Sequence, residues 1–198
     1  KRLEMFLFLS TTGITSMPLL NTSIIWILFK YDFSIFFGFC STYLFWVPIQ
    51  SLGSIFSQDY SKDKFSVIAI DDGSTDNTLR CLNSFSSEQN FTIVSLESNK
   101  GLSTARNCGI RSGNAEIICF IDSDMVIYQD WLSNVEKILM KQEIIGVTGK
   151  VVLPREETPN RLDQYFYSKK RGARQFGEES TIGPTLFLFN NSAVRRSA

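Results

Sequence analysis

Residues 117–125 read IICFIDSDM, and the predicted fold of this 198-residue chain follows from them. The first five residues are apolar and partly β-branched, which predicts a buried strand that ends at two carboxylates. Side chains two residues apart in an extended chain point the same way, so Asp122 and Asp124 are expected to face one cation together. Oxygen ligands of this kind suit Mg²⁺ or Mn²⁺, and the segment therefore predicts a divalent metal site.

Strand-like and helix-like segments alternate around this strand. Strands are predicted at 65–70, 91–94, 146–152 and 185–189, and helices at 75–85, 102–111 and 131–140, with the end of another helix at 52–57. This alternation predicts an α/β fold with a mostly parallel sheet covered by helices on both faces. In such sheets, ligands bind beyond the carboxyl ends of the strands.

A second acidic cluster follows the predicted strand 65–70, where residues 71–76 read DDGSTD. Gly73 permits a backbone that a side chain would forbid, and the next helix offers N–H groups to an anion. Asp71 or Asp72 could accept hydrogen bonds from a base or ribose, although an ordinary acidic turn with a helix cap explains the six residues as well. Both acidic clusters end strands of one predicted sheet, so together they predict a joint nucleotide and metal site.

Two basic segments are further candidates. Gly101 opens a helix that could present backbone donors and Arg106 to phosphate, or Arg106 could pair with a carboxylate and fix the helix to the sheet. Asn191, Arg195 and Arg196 could bind a phosphate or an acceptor, but a charged strand end explains them equally.

Composition excludes several classes of function. Twenty Lys and Arg balance twenty Asp and Glu, so no net field favours nucleic acid as a partner. The chain contains no His, which excludes Ser-His-Asp and Cys-His catalysis. Its cysteines lack metal or disulfide spacing and are interpreted as reduced core thiols of a cytosol-facing domain: Cys40, Cys81, Cys108 and Cys119.

The amino-terminal part differs in composition, because Lys30 and Asp32 are the only charged residues between Met5 and Ile49. Residues 1–49 are therefore set apart from a domain at 50–198 and have three interpretations: membrane segments, buried core strands or a non-native region. A membrane hairpin would place the domain on the cytoplasmic face. A cleaved signal peptide is not expected, because no cleavage pattern stands out.

Taken together, these segments resemble the family 2 glycosyltransferases of the GT-A fold, which is Rossmann-like. The resemblance covers about residues 50–198 and rests on 52–60, DDGSTD at 71–76, NKGLSTARNCG at 99–109, FIDSD at 120–124 and NSAVRR at 191–196. In that family the second Asp of the first cluster recognises the base, which implies Asp72. The Asp-x-Asp pair binds metal and diphosphate, which implies Asp122 and Asp124.

The resemblance implies metal-assisted, inverting transfer of a sugar from a nucleotide donor, most simply a UDP-sugar, to a hydroxyl of a glycan or lipid-linked acceptor in polysaccharide biosynthesis. The family's first strand is expected to be altered, displaced or lost, with residues 43–48 as its remnant. The catalytic base, commonly in a Glu-Asp pair, is expected beyond Ala198, so the chain is expected to be truncated. The alternatives are a nucleotidyltransferase of related architecture and a non-catalytic nucleotide-binding fragment.

Overall fold

A computed structural model describes residues 3–9, 49–152 and 190–198. The described strands are β1 (Leu3–Leu9), β2 (Phe65–Asp71), β3 (Phe91–Ser95), β4 (Ile117–Asp122), β5 (Gly146–Thr148) and β6 (Asn191–Arg195). The described helices are α1 (residues 49–56), α2 (Thr78–Asn83), α3 (Leu102–Ser112) and α4 (Trp131–Leu139). They form one mixed sheet of order β3-β2-β1-β4-β6-β5, in which β3, β2, β1 and β4 are parallel and β6 is antiparallel to β4 and β5.

The strand β1 lies at the centre of the sheet. Its first residue, Leu3, pairs with Phe65 of β2 and Ile117 of β4, and Leu3 and Met5 are fully buried. Strand β1 therefore belongs to the same sheet as the strands of the predicted domain at 50–198, whereas the predicted domain boundary itself stays a prediction. Composition did not identify this strand, because an apolar run is typical both of a core strand and of part of a membrane segment.

The membrane interpretation of residues 1–49 falls largely on residues 10–48, which lie outside the described residues, and it stays a prediction. None of the helices in the described ranges is long and apolar enough to cross a membrane. The predicted strand at 185–189 also lies outside the described residues.

Helices cover both faces of the sheet, as predicted, because successive strand side chains point to opposite faces. In β2, Val67 and Ala69 belong to one core cluster, whereas Ile68 and Ile70 belong to the other. The first cluster packs against α1, α2 and α4 through Leu52, Leu82 and Leu132. The second packs against α3 through Ala105 and Ile110.

Some boundaries differ from those predicted. Helix α2 begins at Thr78 rather than at 75, because Asp76 accepts a hydrogen bond from the Thr78 N–H (2.9 Å) and the chain before it forms a turn. Strand β5 ends at Thr148 rather than at 152. Strand β6 was not predicted, since its sequence NSAVR is too short and polar to show an alternating pattern.

Candidate functional site

The two predicted acidic clusters meet at one edge of the sheet. Strands β2 and β4 flank β1 in parallel, so their carboxyl ends lie together. Asp71 pairs with Leu9, and Asp122 pairs with the neighbouring Phe8. Two strand spacings separate the backbones of Asp71 and Asp122 by roughly 10 Å. Asp71, Asp72, Asp122 and Asp124 thus lie along one edge of the sheet, which we call the acidic edge.

Asp71 is fully buried and holds the loops at this edge together. Its Oδ1 accepts a hydrogen bond from the Ser74 N–H (3.1 Å), and its Oδ2 accepts one from the Ser95 hydroxyl at the end of β3 (2.9 Å). Both oxygens therefore have protein partners. Ser95 did not stand out in the sequence, because nothing local marks a strand-end serine as the partner of a carboxylate from another strand.

Asp72 is also fully buried, and it joins the DDGSTD turn to the start of α3. Its two oxygens accept hydrogen bonds from the backbone N–H groups of Lys100 (2.7 Å) and Gly101 (2.9 Å). Asp72 therefore fixes the turn in front of α3. Both oxygens of this buried carboxylate therefore have protein partners. Its role in base recognition stays a prediction.

Gly73 allows the loop that carries Asp72 to pass close to the loop after β3. Its φ is +69°, and a Cβ atom built on it would lie 2.4 Å from the Ser98 carbonyl carbon. A side chain is excluded there on both grounds. Gly101 also has a positive φ, +86°, but no atom within 4 Å of an added Cβ. Its glycine is required by backbone conformation alone.

Arg106 projects from α3 towards the acidic edge. Its Nη2 donates to Asp122 Oδ1 at 3.4 Å, with 22% of the Arg106 side chain and 31% of the Asp122 side chain exposed. Asp122 lies on the α3 face of the sheet because it continues the alternation of Ile118 and Phe120. The structural interpretation of Arg106, a brace between helix and sheet, is thus observed, and its phosphate contact stays a prediction.

Asp122 and Asp124 differ in environment. Burial raises the pKa of Asp122, Arg106 opposes this effect, and the Asp124 carboxylate adds to it. Asp124 is exposed in the turn closed by the Met125 N–H and the Asp122 carbonyl (3.0 Å). The Asp122 carboxylate is desolvated and lies next to a second negative charge. A divalent cation would reduce the electrostatic cost of its ionisation.

No three His, Cys, Asp or Glu side chains converge as a metal site within residues 3–9, 49–152 and 190–198. A metal ion on a nucleotide diphosphate needs only one or two carboxylates, because phosphate oxygens and water complete its coordination. The two carboxylates of Asp122 and Asp124 are therefore enough in number for such an ion.

Asn191 lies at the acidic edge, opposite Ile121 of β4. Its Oδ1 accepts a hydrogen bond from Trp131 Nε1 (2.8 Å), and its carbonyl accepts one from the Gly149 N–H (2.7 Å). A Cβ atom on Gly149 would lie 2.6 Å from Asn191 Nδ2. Asn191 therefore anchors the start of α4 and the end of β5 to β6.

The predicted acceptor or phosphate role of Arg195 and Arg196 is not supported by their position. Strand β6 is antiparallel to β4, so Arg195 pairs with Ile117 at the amino end of β4, opposite the acidic edge. The sequence alone did not reveal the direction of β6. The structure does not bring these two arginines to the acidic site.

Each of these arginines instead binds the carboxyl end of a helix. Arg195 donates to the carbonyl of Leu139, the last residue of α4, and to that of Ile144 beyond the helix (3.0 Å). Arg196 donates to the carbonyls of Ile110 (2.7 Å) and Ala115 (2.7 Å), in and after α3. Adjacent residues of an extended chain point to opposite faces, so Arg195 binds α4 on one face of the sheet and Arg196 binds α3 on the other.

Gln58 is a structural residue that the sequence did not reveal, because it lies in what reads as a polar turn. Its side chain is buried, and its Nε2 donates to the carbonyls of Ser54 (3.1 Å) and Tyr128 (2.7 Å). Its Oε1 accepts a hydrogen bond from the Leu132 N–H (3.0 Å). Gln58 thus connects the end of α1 to the segment that leads from the Asp122–Asp124 turn into α4.

The carboxylates lie beyond the carboxyl ends of two parallel strands, which is where open α/β sheets bind their ligands. The family model for glycosyl transferase family 2 matches residues 49–197, and the chain belongs to this family. The predicted family is therefore confirmed.

Characterised relatives are similar over most of this chain. The poly-beta-1,6-N-acetyl-D-glucosamine synthase of Staphylococcus epidermidis is 28% identical over 153 residues, which are 74% of this chain and 37% of that protein. Glycosyltransferase AglE of Haloferax volcanii is 35% identical over 141 residues, which are 71% of this chain and 46% of that protein. The chain thus spans less than half the length of these relatives.

Solved structures show the same fold. TarS residues 1–349 of S. aureus, in complex with UDP-GlcNAc, superposes with a TM-score of 0.53 at 20% identity, over 78% of this chain and 37% of that chain. Mannosyltransferase PcManGT of Pyrobaculum calidifontis, in complex with GDP-Man and Mn²⁺, gives 0.61 at 20% identity, over 99% of this chain and 45% of that chain. These likenesses establish a GT-A-like fold.

Proposed function

We propose that this chain carries the donor-binding part of a glycosyltransferase that uses a nucleotide sugar, with a UDP-sugar as the donor. The observation that carries the proposal is the acidic edge, where the DDGSTD turn and the Asp122–Asp124 pair lie at the ends of two strands that flank β1. Family membership supports it. Two structural neighbours were solved with UDP-GlcNAc and GDP-Man, so the experiment has to determine which nucleotide base this chain binds.

Each part of the donor has a candidate partner. The base and ribose lie against the DDGSTD turn, where Asp72 accepts their hydrogen bonds. The diphosphate lies at the amino end of α3, whose dipole favours anions, with Arg106 beside it. Asp122 and Asp124 hold Mg²⁺ or Mn²⁺, which when bound supplies positive charge against the departing diphosphate.

Acceptor attack inverts the sugar configuration in this proposal and needs a carboxylate base to remove the hydroxyl proton. No such base is assigned among the described residues. The acceptor is a glycan or a lipid-linked glycan, in line with the names of relatives that build or modify polymers.

Isothermal titration of UDP and of GDP, each with and without Mn²⁺, tests the donor site. We expect UDP to bind more tightly with Mn²⁺, and Asp124→Ala to weaken that binding at least about tenfold. Glu143→Ala changes an exposed carboxylate outside the acidic edge and serves as the control. Equal affinities in every combination would overturn the metal site, and a preference for GDP would overturn the assignment of UDP.

A further inference from the structure

A shallow groove of about 520 Å³, wide open to solvent, lies beside the segment that links the Asp122–Asp124 turn to α4. It is lined by Asp59, Ile127, Tyr128, Gln129 and Asp130. Tyr128 is 63% exposed although it is aromatic, and both lining carboxylates are exposed. None of the donor residues assigned above lines this groove.

Hydrogen bonds across the groove hold its two walls in place. The Asp59 N–H donates to the Gln129 carbonyl (2.9 Å), and the Ser133 hydroxyl donates to the Asp59 carbonyl (3.2 Å). The buried Gln58 amide adds the Tyr128 carbonyl and the Leu132 N–H to the same network. The lining side chains are thus presented on a braced backbone, which lowers the entropic cost of binding a ligand.

The lining has the chemistry of a carbohydrate site. An exposed Tyr ring offers an apolar face to the C–H groups of a sugar, and it loses little conformational entropy on binding. Carboxylates and a Gln amide accept and donate hydrogen bonds to hydroxyls. Asp130 makes no capping hydrogen bond to α4, and neither Asp59 nor Asp130 forms an ion pair with another described residue. The lining contains two acids and no base, so it repels anions.

We infer that this groove binds an uncharged sugar ring of the acceptor glycan, next to the donor site. Tyr128 follows Asp124 by four residues, so their Cα atoms are at most about 14 Å apart. A glycan chain bound there lies within a few sugar units of the acidic edge. The assignment of this sugar to the acceptor rests on the proposed function, whereas the binding of a sugar ring does not.

Titration with a tetrasaccharide of N-acetylglucosamine, followed by calorimetry and saturation-transfer NMR, tests the groove. We expect Tyr128→Ala to weaken binding about tenfold and Tyr128→Phe to preserve it, because the ring supplies the contact. The 6-O-sulfated tetrasaccharide is expected to bind about fivefold more weakly than the neutral one, and Asp59→Asn with Asp130→Asn should narrow that difference. Val126→Ala, at a residue that is 67% exposed and outside the lining, is the matched control.

Absence of tetrasaccharide binding, equal binding by Tyr128→Ala, or a preference for the sulfated form would overturn the inference. A parallel titration of UDP with Mn²⁺ separates the two proposals, because Tyr128→Ala should leave UDP affinity unchanged. If UDP fails to bind while tetrasaccharide binding depends on Tyr128, the donor proposal fails and the groove stands as a carbohydrate site. If UDP binds and no variant alters tetrasaccharide binding, the groove fails.

Discussion

In the proposed donor site, Asp122 combines two requirements that conflict. A ligand of metal and diphosphate has to be ionised, yet burial raises the pKa of this carboxyl, and the neighbouring Asp124 adds to the effect. Arg106 offsets part of the cost through the contact between Nη2 and Oδ1. Functional carboxylates often lower stability in this way, because their charge is useful only when the ligand is present.

The raised pKa of Asp122 has a consequence for stability. Folding favours the protonated carboxyl, so this contribution is present at pH below the ordinary Asp pKa and is lost as the pH rises through the raised pKa. We expect Asp122→Asn to raise Tm at neutral pH by about 2–4 °C, which corresponds to about 1 kcal/mol for a chain of this size. The gain should shrink as the pH falls towards about 4, the ordinary Asp pKa.

Calorimetric melts of wild type and Asp122→Asn across this pH range check the expectation. Glu143→Gln removes an exposed carboxylate elsewhere and should leave Tm unchanged within error. A Tm difference for Asp122→Asn that does not vary with pH would contradict a raised pKa of Asp122. The same variant should lose Mn²⁺-dependent UDP binding, which would show that stability and function oppose each other at this residue.

The direction of strand β6 determines which of its residues lie at the acidic edge. Its first residue, Asn191, lies at the acidic edge, whereas its last residue, Arg195, and the following Arg196 lie at the opposite edge. Carbonyls at a helix end lack partners within the helix, and a guanidinium can satisfy several at once. The two arginines therefore join the sheet to α4 and α3 by hydrogen bonds to main-chain oxygens.

Substitution of Arg195 distinguishes a structural role from a phosphate-binding one. We expect Arg195→Met to lower the free energy of unfolding by about 1–3 kcal/mol, because the carbonyls near the end of α4 lose their donor. Affinity for UDP with Mn²⁺ should not change. Denaturant unfolding and UDP titration of the same preparation measure both quantities.

Arg111→Met is the matched control, since Arg111 is exposed on α3 and its replacement should cost little. A loss of UDP affinity in Arg195→Met at unchanged stability would restore the phosphate interpretation of the sequence.

At the scale of the whole molecule, the sheet depends on β1. This strand pairs with β2 on one side and β4 on the other, so the two strands that carry the acidic clusters are joined only through it in the described sheet. Leu3 and Met5 also belong to the core cluster shared with α1, α2 and α4. The distance between the two halves of the acidic edge is therefore set by an element more than 100 residues before Asp122.

We expect Met5→Asp to abolish cooperative folding, because an unpaired charge would be buried at a fully buried position in the central strand. Met140→Asp is the matched control, since Met140 is 70% exposed and should tolerate the charge. Soluble yield, circular dichroism and thermal melts compare the two. Cooperative melting of Met5→Asp at a Tm near that of wild type would show that the domain does begin at residue 50.

Local sequence was sufficient to predict much of the proposed donor site. Strands β2 and β4, helices α3 and α4, and the placement of Asp71, Asp72 and Asp122 at one edge follow from apolar runs that end in acids, from glycine turns and from helical periodicity. These signals act between residues close in the chain, so they can be read without knowing which elements are neighbours. The family resemblance rested on the same segments.

Contacts between distant residues were needed for the rest. The place of β1 at the centre, the direction of β6 and the groove between Asp59 and residues 127–130 all depend on pairings of segments far apart in the chain. An apolar run is equally favourable in a core or in a membrane, and an arginine equally favourable on phosphate or on a helix end. The free energy of these alternatives differs only once the neighbours are in place, and for that reason tertiary packing assigned β1, Arg195 and Tyr128 their positions.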